Sequence, residues 1–259
     1  MTRILLRIAN AIVSIVVLLS LTIAGAYAGY ALWDNSRIYS AAEDVQADMI
    51  KLKPKTEEGE DGPTFAELLN VNPDVCGWVT LDNTKIDHPI VQGQDNMCYI
   101  NTDVYGNFSL AGSIFLDSRN QNDFSDTVSL LYGHHMEHSG MFGDLDLYKD
   151  PDFFRENKTG TLITPDETYD LEIFACLLTE ASDKEIFEPT DWHSNNLHSF
   201  EPYIQENALS LRQDVLDALL EQEDPHILVL STCSSEFTDA RTIVLATMTP
   251  HRLGAEEEA

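Results

Sequence analysis

Apolar residues form one unbroken stretch near the N-terminus of the chain. Residues 8–33 carry no charge over 26 positions, and a helix of that length, at about 1.5 Å per residue, is longer than the bilayer hydrocarbon core of about 30 Å. Arg3 and Arg7 precede the stretch and acidic residues follow it, so the positive-inside rule places the N-terminus in the cytoplasm and the remainder outside the cell. The pattern predicts a single-pass membrane anchor.

A cleaved signal peptide is the alternative interpretation of the same stretch. Ala24-Gly25-Ala26 and Ala26-Tyr27-Ala28 have the small-x-small spacing of cleavage sites. The apolar run is longer than a usual signal-peptide core, and Tyr30 and Trp33 suit the membrane interface. These features favour an uncleaved anchor.

The segment after the anchor changes from helical periodicity to a charged linker. Apolar residues at helical spacing predict a juxtamembrane helix over residues 36–52. Residues 53–63 are charged, contain two prolines near their ends and have no large apolar side chain, which is typical of a linker. We therefore expect a cytoplasmic tail and transmembrane anchor over 1–33, a juxtamembrane helix and acidic linker over 34–63, and a folded domain over 64–259.

Beyond Gly77, apolar residues come in short runs bounded by Gly, Pro, Asn and Asp, which is the pattern of β-strands. Helical periodicity interrupts these runs over 142–157 and, in two pieces, over 199–222. Because strands outnumber helices and do not alternate with them regularly, the sequence predicts a mainly β fold, a closed or nearly closed barrel with inserted helices. The predicted strands are 77–81, 86–91, 113–116, 127–132, 160–164, 169–178, 226–232 and 242–248.

Composition narrows the class of protein further. The 259 residues include 44 Asp and Glu against 15 Lys and Arg, a net charge of −29, and 43% are hydrophobic. The hydrophobic content supports a packed core, while the negative charge argues against a nucleic-acid partner. The acidity is explained by a solvated surface or, alternatively, by attraction to amine-bearing partners. Four Cys are too few for a disulfide scaffold, although Cys76 and Cys98 are candidates for pairing outside the cell.

Three residues suited to acyl transfer lie at the ends of predicted strands. Cys233 follows one strand, His134 follows another, and Arg241 precedes a third. A thiol is a good nucleophile toward a carbonyl, an imidazole exchanges protons, and a guanidinium stabilises a developing oxyanion. Each residue alone has an ordinary structural explanation, as a small buried side chain or a surface ion pair. Their combination at strand ends predicts a catalytic site.

The same residues carry a resemblance to a known family. Tyr132-Gly133-His134 lies about a hundred residues before Leu230-Ser231-Thr232-Cys233, and Arg241 follows eight residues later. This arrangement resembles the sortases, membrane-anchored cysteine transpeptidases of Gram-positive bacteria, and is most similar to class B. Further matching segments are 72–79, 86–93, 112–117 and 141–143, together with Asp95-Asn96 and Tyr99. The resemblance covers about 72–248 and implies an eight-stranded sortase-type β-barrel with inserted helices, with 64–259 as the catalytic domain.

The resemblance also implies a mechanism and partners. Cys233 would attack the carbonyl of a Thr within a sorting signal on an exported protein, with His134 as acid and then base and Arg241 holding the carbonyl. The resulting thioester would pass to an amine of a cell-wall precursor or of a pilin Lys, without a metal or other cofactor. Packing or turn formation explains the weaker substrate-pocket candidates equally well. These candidates are Asn96, Tyr132, Ser231 and Glu236.

Two other functions are alternatives to this hypothesis. Residues 134–138, His-His-Met-Glu-His, match the H-x-x-E-H zinc motif, which requires two His on one face of a helix. Here the motif follows a strand and Gly133, which disfavours a zinc peptidase. A catalytically silent, membrane-anchored binding domain on the same barrel is disfavoured because the three strand-end residues are all present. His135 stands where class B members commonly carry Asn, a departure that leaves the substrate open.

Overall fold

The N-terminal residues form one long helix. The computed structural model describes residues 2–55, 62–233 (without the Cys233 side chain) and 239–251. Helix α1 spans Thr2–Ile50, so the predicted juxtamembrane helix is part of it and not a separate element. The chain divides into two compact units, Met1–Ala41 and Ala42–Ala259. The first unit carries the exposed apolar stretch, which is long enough to cross a membrane, and α1 is therefore a candidate transmembrane helix.

The second unit is built on a β-barrel. Eight of its strands follow the order β11-β10-β4-β3-β2-β1-β7-β8, and β11 also pairs with β8, which closes the barrel. This confirms the predicted mainly β, eight-stranded barrel, and all eight predicted strands are present with ends within two residues. The described residues contain eleven strands: β1 Val75–Leu81, β2 Asp87–Val91, β3 Ile114–Leu116, β4 Val128–Gly133, β5 His135–Met136, β6 Gly140–Met141, β7 Thr159–Ile163, β8 Thr168–Glu180, β9 Ala208–Leu211, β10 Ile227–Cys233 and β11 Ala240–Pro250.

Strand β9 departs from the sequence-based expectation. It lies inside the stretch 199–222 that was predicted as helix, between α5 (Phe200–Asn207) and α6 (Gln213–Leu220). The main chain of β9 pairs with Ala175–Leu177 of β8, beyond the residues of β8 that β7 occupies. The strand forms because β8 is long enough to offer this free edge, and a local sequence pattern contains no information about that partner.

Short helices fill the connections between strands. Helix α2 (Phe65–Val71) begins after Thr64, which forms a capping box with Glu67. The stretch 142–157, which was predicted as helix, forms a 3-10 helix over Gly143–Lys149 and then α3 (Pro151–Glu156). Helix α4 (Lys184–Phe187) and 3-10 turns at Pro189–Asp191 and Leu197–Ser199 precede α5.

One face of the barrel wall is covered by α5 and α6. The core there combines alternate residues of β4, β10 and β11 with residues of the two helices. Alternate strand positions share a face, so this apolar face continues along the same strands to their ends, where the helices no longer cover it. That uncovered end is where the functional residues lie. The contributing residues are Val128, Leu130, Ile227, Val229, Ile243 and Leu245 from the strands and Phe200, Ile204, Leu216 and Leu219 from the helices.

Two of the three cysteines outside the predicted site are buried. Cys76 is buried in β1 and Cys98 is exposed in the β2–β3 connection, and both thiols are free, so the considered disulfide does not form. Cys98 Sγ lies 3.4 Å from Asp95 Oδ1. Cys176 is buried in β8, as expected for a small apolar side chain.

A buried imidazole in β2 makes the stability of the barrel sensitive to pH. Burial lowers the pKa of His88 to about 4, although the nearby charge of Asp87 acts in the opposite direction. The ring is 5% exposed and its Nε2 lies 3.4 Å from Gln46 Nε2. An unfolded His has a pKa of about 6.5, so the unfolded state binds the proton first as the pH falls. The contribution of His88 to stability is therefore complete above about pH 6.5 and is lost toward pH 4.

We expect His88 to lower the free energy of unfolding by about 2 kcal/mol between pH 7 and pH 5. Urea unfolding of the detergent-solubilised full chain at both pH values, compared with His88→Leu, measures this contribution. The leucine variant has no imidazole to protonate, so its loss of stability over the same interval should be smaller by that amount. An equal loss in the two proteins would contradict the assignment.

Candidate active site

The strand register brings the three predicted catalytic residues to one end of the barrel wall. Strand β10 lies between β4, which is parallel to it, and β11, which is antiparallel. The backbone of Cys233 pairs with Arg241, and Thr232 pairs with Gly133, the residue before His134. Parallel strands end at the same edge of a sheet and an antiparallel neighbour begins there. The end of β4, the end of β10 and the start of β11 therefore meet.

An open cleft of about 270 Å³ lies at this edge. The strand ends contribute its polar groups, and aromatic and aliphatic side chains form the rest of the wall. A mostly apolar cleft with a few placed polar groups is typical of a binding site. Its lining is Ile100, Phe115, Tyr132, Gly133, His134, Ala181, Phe187, Ser231, Thr232 and Arg241.

The imidazole of His134 is oriented by a backbone contact. Its Nε2 lies 2.8 Å from the carbonyl oxygen of Ile100, in the β2–β3 connection. Because a carbonyl only accepts hydrogen bonds, Nε2 donates its proton there, which leaves Nδ1 as the nitrogen that can exchange a proton. The half-buried ring is thus held in one tautomer at the cleft.

Arg241 supplies the positive charge of the cleft. It is the second residue of β11, pairs with Thr179 of β8 on its other side, and donates from Nη1 to the carbonyl of Ala240 at 2.9 Å. A guanidinium carries five N–H donors in a fixed plane. The group is therefore suited to hold a carbonyl oxygen that becomes negatively charged next to the backbone of Cys233.

Two of the four predicted substrate-pocket residues line the cleft. The ring of Tyr132 stacks against Phe115 at 5.2 Å and against Phe187 at 6.2 Å between ring centroids. Ser231 is buried, and its Oγ has no hydrogen-bond partner among the described residues. A buried hydroxyl without a partner is energetically costly.

Of the other two predicted pocket residues, Asn96 is not among those that line the cleft. Asn96 bonds to the Asp117 carboxylate at 2.9 Å and accepts from the backbone N–H of Ser118 at 2.7 Å. It reaches the cleft only indirectly, because Asp117 also accepts a hydrogen bond from the hydroxyl of Tyr132 at 3.0 Å. Glu236 lies outside the described residues and stays a prediction.

Sequence analysis missed a buried carboxylate that organises the cleft wall. Asp117 is fully buried and receives two hydrogen bonds from the guanidinium of Arg119, which also reaches the Phe187 carbonyl and Glu188. Burial alone would raise the pKa of Asp117, but the hydrogen bonds from Arg119 and Asn96 lower it below its ordinary value. The close spacing of Asp117 and Arg119 was visible in the sequence, whereas their contact with the α4 segment was not.

The H-x-x-E-H motif does not form a helix. After His134, its residues lie in β5 and in a 3-10 turn over Glu137–Ser139, in which His138 has a φ of 61°. Nε2 of His135 lies 3.1 Å from Asp146, away from the Ile100 contact of His134. Within the described residues, no group of three His, Cys, Asp or Glu side chains is arranged to hold a metal ion. The geometry does not support the zinc-peptidase alternative.

Comparisons with known proteins point to one family. The family model of the sortase domain matches residues 79–249. Sortase B of Listeria monocytogenes is 33% identical over 214 residues, covering 80% of this chain and 82% of that protein. A solved class B sortase of Streptococcus pyogenes, involved in pilus biogenesis, is 36% identical with a TM-score of 0.64, covering 74% of this chain and all of that one. A solved sortase B of Clostridium perfringens is 31% identical with a TM-score of 0.65, covering 72% and 100%.

Proposed function

Because this chain belongs to the sortase family, whose members are cysteine transpeptidases, we propose that it cleaves a sorting signal at a Thr residue of an exported protein and transfers the acyl group to an amine. Cys233 is the nucleophile, His134 the acid and base, and Arg241 the group that binds the carbonyl oxygen. The observation that supports this assignment is the register of β4, β10 and β11, in which the backbone of Cys233 lies beside the strand ends that bring His134 and Arg241 to the cleft.

The first half of the reaction forms a thioester. Cys233 gives its thiol proton to His134 and attacks the carbonyl carbon of the Thr residue as the thiolate, and the carbonyl oxygen becomes negative in the tetrahedral intermediate while Arg241 donates hydrogen bonds to it. The C–N bond then breaks, and His134 gives a proton to the departing amine. The products are an acylated Cys233 and the C-terminal fragment of the signal.

The second half transfers the acyl group. An incoming amine attacks the thioester carbon, His134 takes a proton from that amine, and the C–S bond breaks so that Cys233 is regenerated. Thioesters react readily with amines, which favours transfer over hydrolysis. The acceptor is an amine of a cell-wall precursor or of a pilin Lys, and the net charge of −29 is complementary to such cationic groups.

The cleft wall suggests how the signal is held. Tyr132 and its aromatic neighbours provide an apolar surface, while the unpartnered hydroxyl of Ser231 offers one polar contact. Asn96 acts through Asp117, which also holds Tyr132. Glu236, in the connection between β10 and β11, remains a further candidate.

The proposal includes a location for the enzyme. Residues 1–33 anchor the chain in the cell membrane with the N-terminus in the cytoplasm, 34–63 comprise the last part of α1 as the juxtamembrane segment and the acidic linker, and 64–259 act outside the cell. The apolar, exposed first part of α1 and the two preceding arginines support this arrangement.

The function is tested with the detergent-solubilised full chain and a panel of peptides that carry different sorting signals. Mass spectrometry after addition of an amine should show the N-terminal fragment, ending at Thr, joined to that amine. The matched control is the same peptide with Thr replaced by Val, which has a similar shape but lacks the hydroxyl. Absence of Cys233-dependent product from every Thr peptide would overturn the proposed function.

We expect chelation by EDTA to leave the activity unchanged. The proposed steps use a thiol, an imidazole and a guanidinium, and none requires a metal ion. The initial rate of amine transfer is measured before and after incubation with excess EDTA. Loss of activity on chelation, followed by recovery with zinc, would restore the zinc-peptidase hypothesis.

A further inference from the structure

The carboxylate of Asp146 connects the elements that carry His134 and Arg241. Asp146 belongs to the 3-10 helix Gly143–Lys149 and is about one quarter exposed. Its Oδ1 accepts a hydrogen bond from Thr242 Oγ1 at 2.7 Å, and its Oδ2 lies 3.1 Å from His135 Nε2. Each of these two partners is the residue directly after a proposed catalytic residue. One side chain therefore contacts both neighbours of the catalytic pair.

The contact spans the width of three strands. His135 continues the chain beyond β4, Thr242 lies in β11, and β10, which ends at Cys233, runs between them. Adjacent residues of a strand point to opposite faces, so Thr242 faces away from the side occupied by Arg241. Asp146 thus binds on the opposite face from Arg241, and it is not among the residues that line the cleft.

The 3-10 helix that carries Asp146 is itself firmly placed. The N–H of Phe142 donates to the carbonyl of His134 at 3.0 Å, and the Asp144 carboxylate accepts from the N–H of Lys85 at 2.7 Å. A Cβ atom on Gly143 would lie 2.3 Å from the carbonyl oxygen of Met136, so only glycine permits this approach of the helix to β5. Lys149 Nζ, 3.0 Å from Asp146 Oδ1, further restrains the carboxylate.

We propose that Asp146 is a positioning residue for transpeptidation, which holds His134 and Arg241 at a fixed separation on either side of Cys233 by binding His135 and Thr242. This inference rests on the proposed function. The reaction needs the proton donor at the nitrogen and the oxyanion-binding group at the oxygen of the same scissile amide. A displacement of about 1 Å in such a group can cost about 100-fold in rate.

The test measures kcat and KM for amine transfer by the full chain carrying Asp146→Ala. We expect kcat to fall by about 10- to 100-fold while KM changes by less than about twofold, because the peptide-binding wall is untouched. The matched control is Asp152→Ala, in which an exposed carboxylate with an Arg155 partner is removed. Rates are normalised by titrating reactive Cys233, since a purely structural role would lower the number of active molecules but not kcat per active site.

Thr242 provides an independent test that does not depend on the folding of Asp146→Ala. Thr242→Val has the shape of Thr but lacks the hydroxyl, and should lower kcat by more than about twofold though not beyond the fall in Asp146→Ala, whereas Thr242→Ser keeps the hydroxyl and should stay within about twofold of wild type. The double variant Asp146→Ala/Thr242→Val should lose little more than Asp146→Ala alone, because Asp146→Ala already removes the contact with Thr242.

The outcomes separate the role of Asp146 from the proposed function. An active wild type, with kcat per site of Asp146→Ala or Thr242→Val within about twofold of it, would overturn the positioning role alone. Equal losses in Thr242→Ser and Thr242→Val would also overturn it, since the hydroxyl would then be irrelevant. A wild type without Cys233-dependent product would overturn both proposals.

Discussion

Replacement of Cys233 by Ala is expected to abolish transpeptidation, with a fall of about 10⁴-fold or more in kcat/KM, and to leave the fold intact. No other group in the proposed mechanism can form the acyl intermediate, and removal of a catalytic nucleophile has effects of this size in other acyl-transfer enzymes. Position 233 is the last residue of β10, so the substitution leaves the central part of the strand unchanged. Amine transfer and thermal unfolding are measured on the same preparation.

Cys98→Ala is the matched control for this experiment. Cys98 is an exposed thiol outside the cleft lining, so its removal should leave the rate unchanged. Retention of activity by Cys233→Ala would eliminate the proposed nucleophile. A wild type that transfers no acyl group, and whose Cys233 is alkylated at a rate independent of His134, would instead favour the silent binding domain.

The second large effect is expected for Arg241→Lys, which keeps the charge. A guanidinium presents two parallel N–H donors to an oxygen, whereas an ammonium is a single charged group on a flexible chain. Loss of one oxyanion-stabilising donor typically lowers the rate by about 10²–10³, or about 2.7–4 kcal/mol. We expect kcat/KM for amine transfer to fall by this amount.

The control here is Arg155→Lys, in an exposed ion pair with Asp152. An exposed pair contributes about 0–1 kcal/mol to stability, and Arg155 is not part of the cleft lining, so this variant should transfer amines at the wild-type rate. If Arg241→Lys also stayed within about threefold of wild type, which corresponds to about 0.65 kcal/mol, Arg241 would be a surface residue of β11 and not part of the reaction.

The strands of the barrel were predictable because each carries its own local pattern. All eight barrel strands are runs of apolar residues bounded by turn-forming residues, and their predicted ends differ from the structure by at most two positions. Strand β9 was not predictable in this way. Residues 208–211 have helical neighbours on both sides, and their conformation is decided by the free edge of β8.

The division is similar for the candidate site. Local sequence patterns indicate which residue types lie at the ends of β4 and β10 and at the start of β11, since His134, Cys233 and Arg241 each adjoin a recognisable strand. These strand ends meet only in the folded chain, because strand order and register depend on contacts between distant parts of the chain.

The contacts that support the site also depend on the tertiary structure. Asp117 reaches α4 through Arg119, across 68 and 69 positions, and Asp146 reaches Thr242 across 96. A carboxylate in a helical or loop pattern looks like any solvated acid until folding places a donor beside it. The 44 acidic residues of this chain therefore could not be separated by sequence into solvated surface groups and the few that hold the active site together.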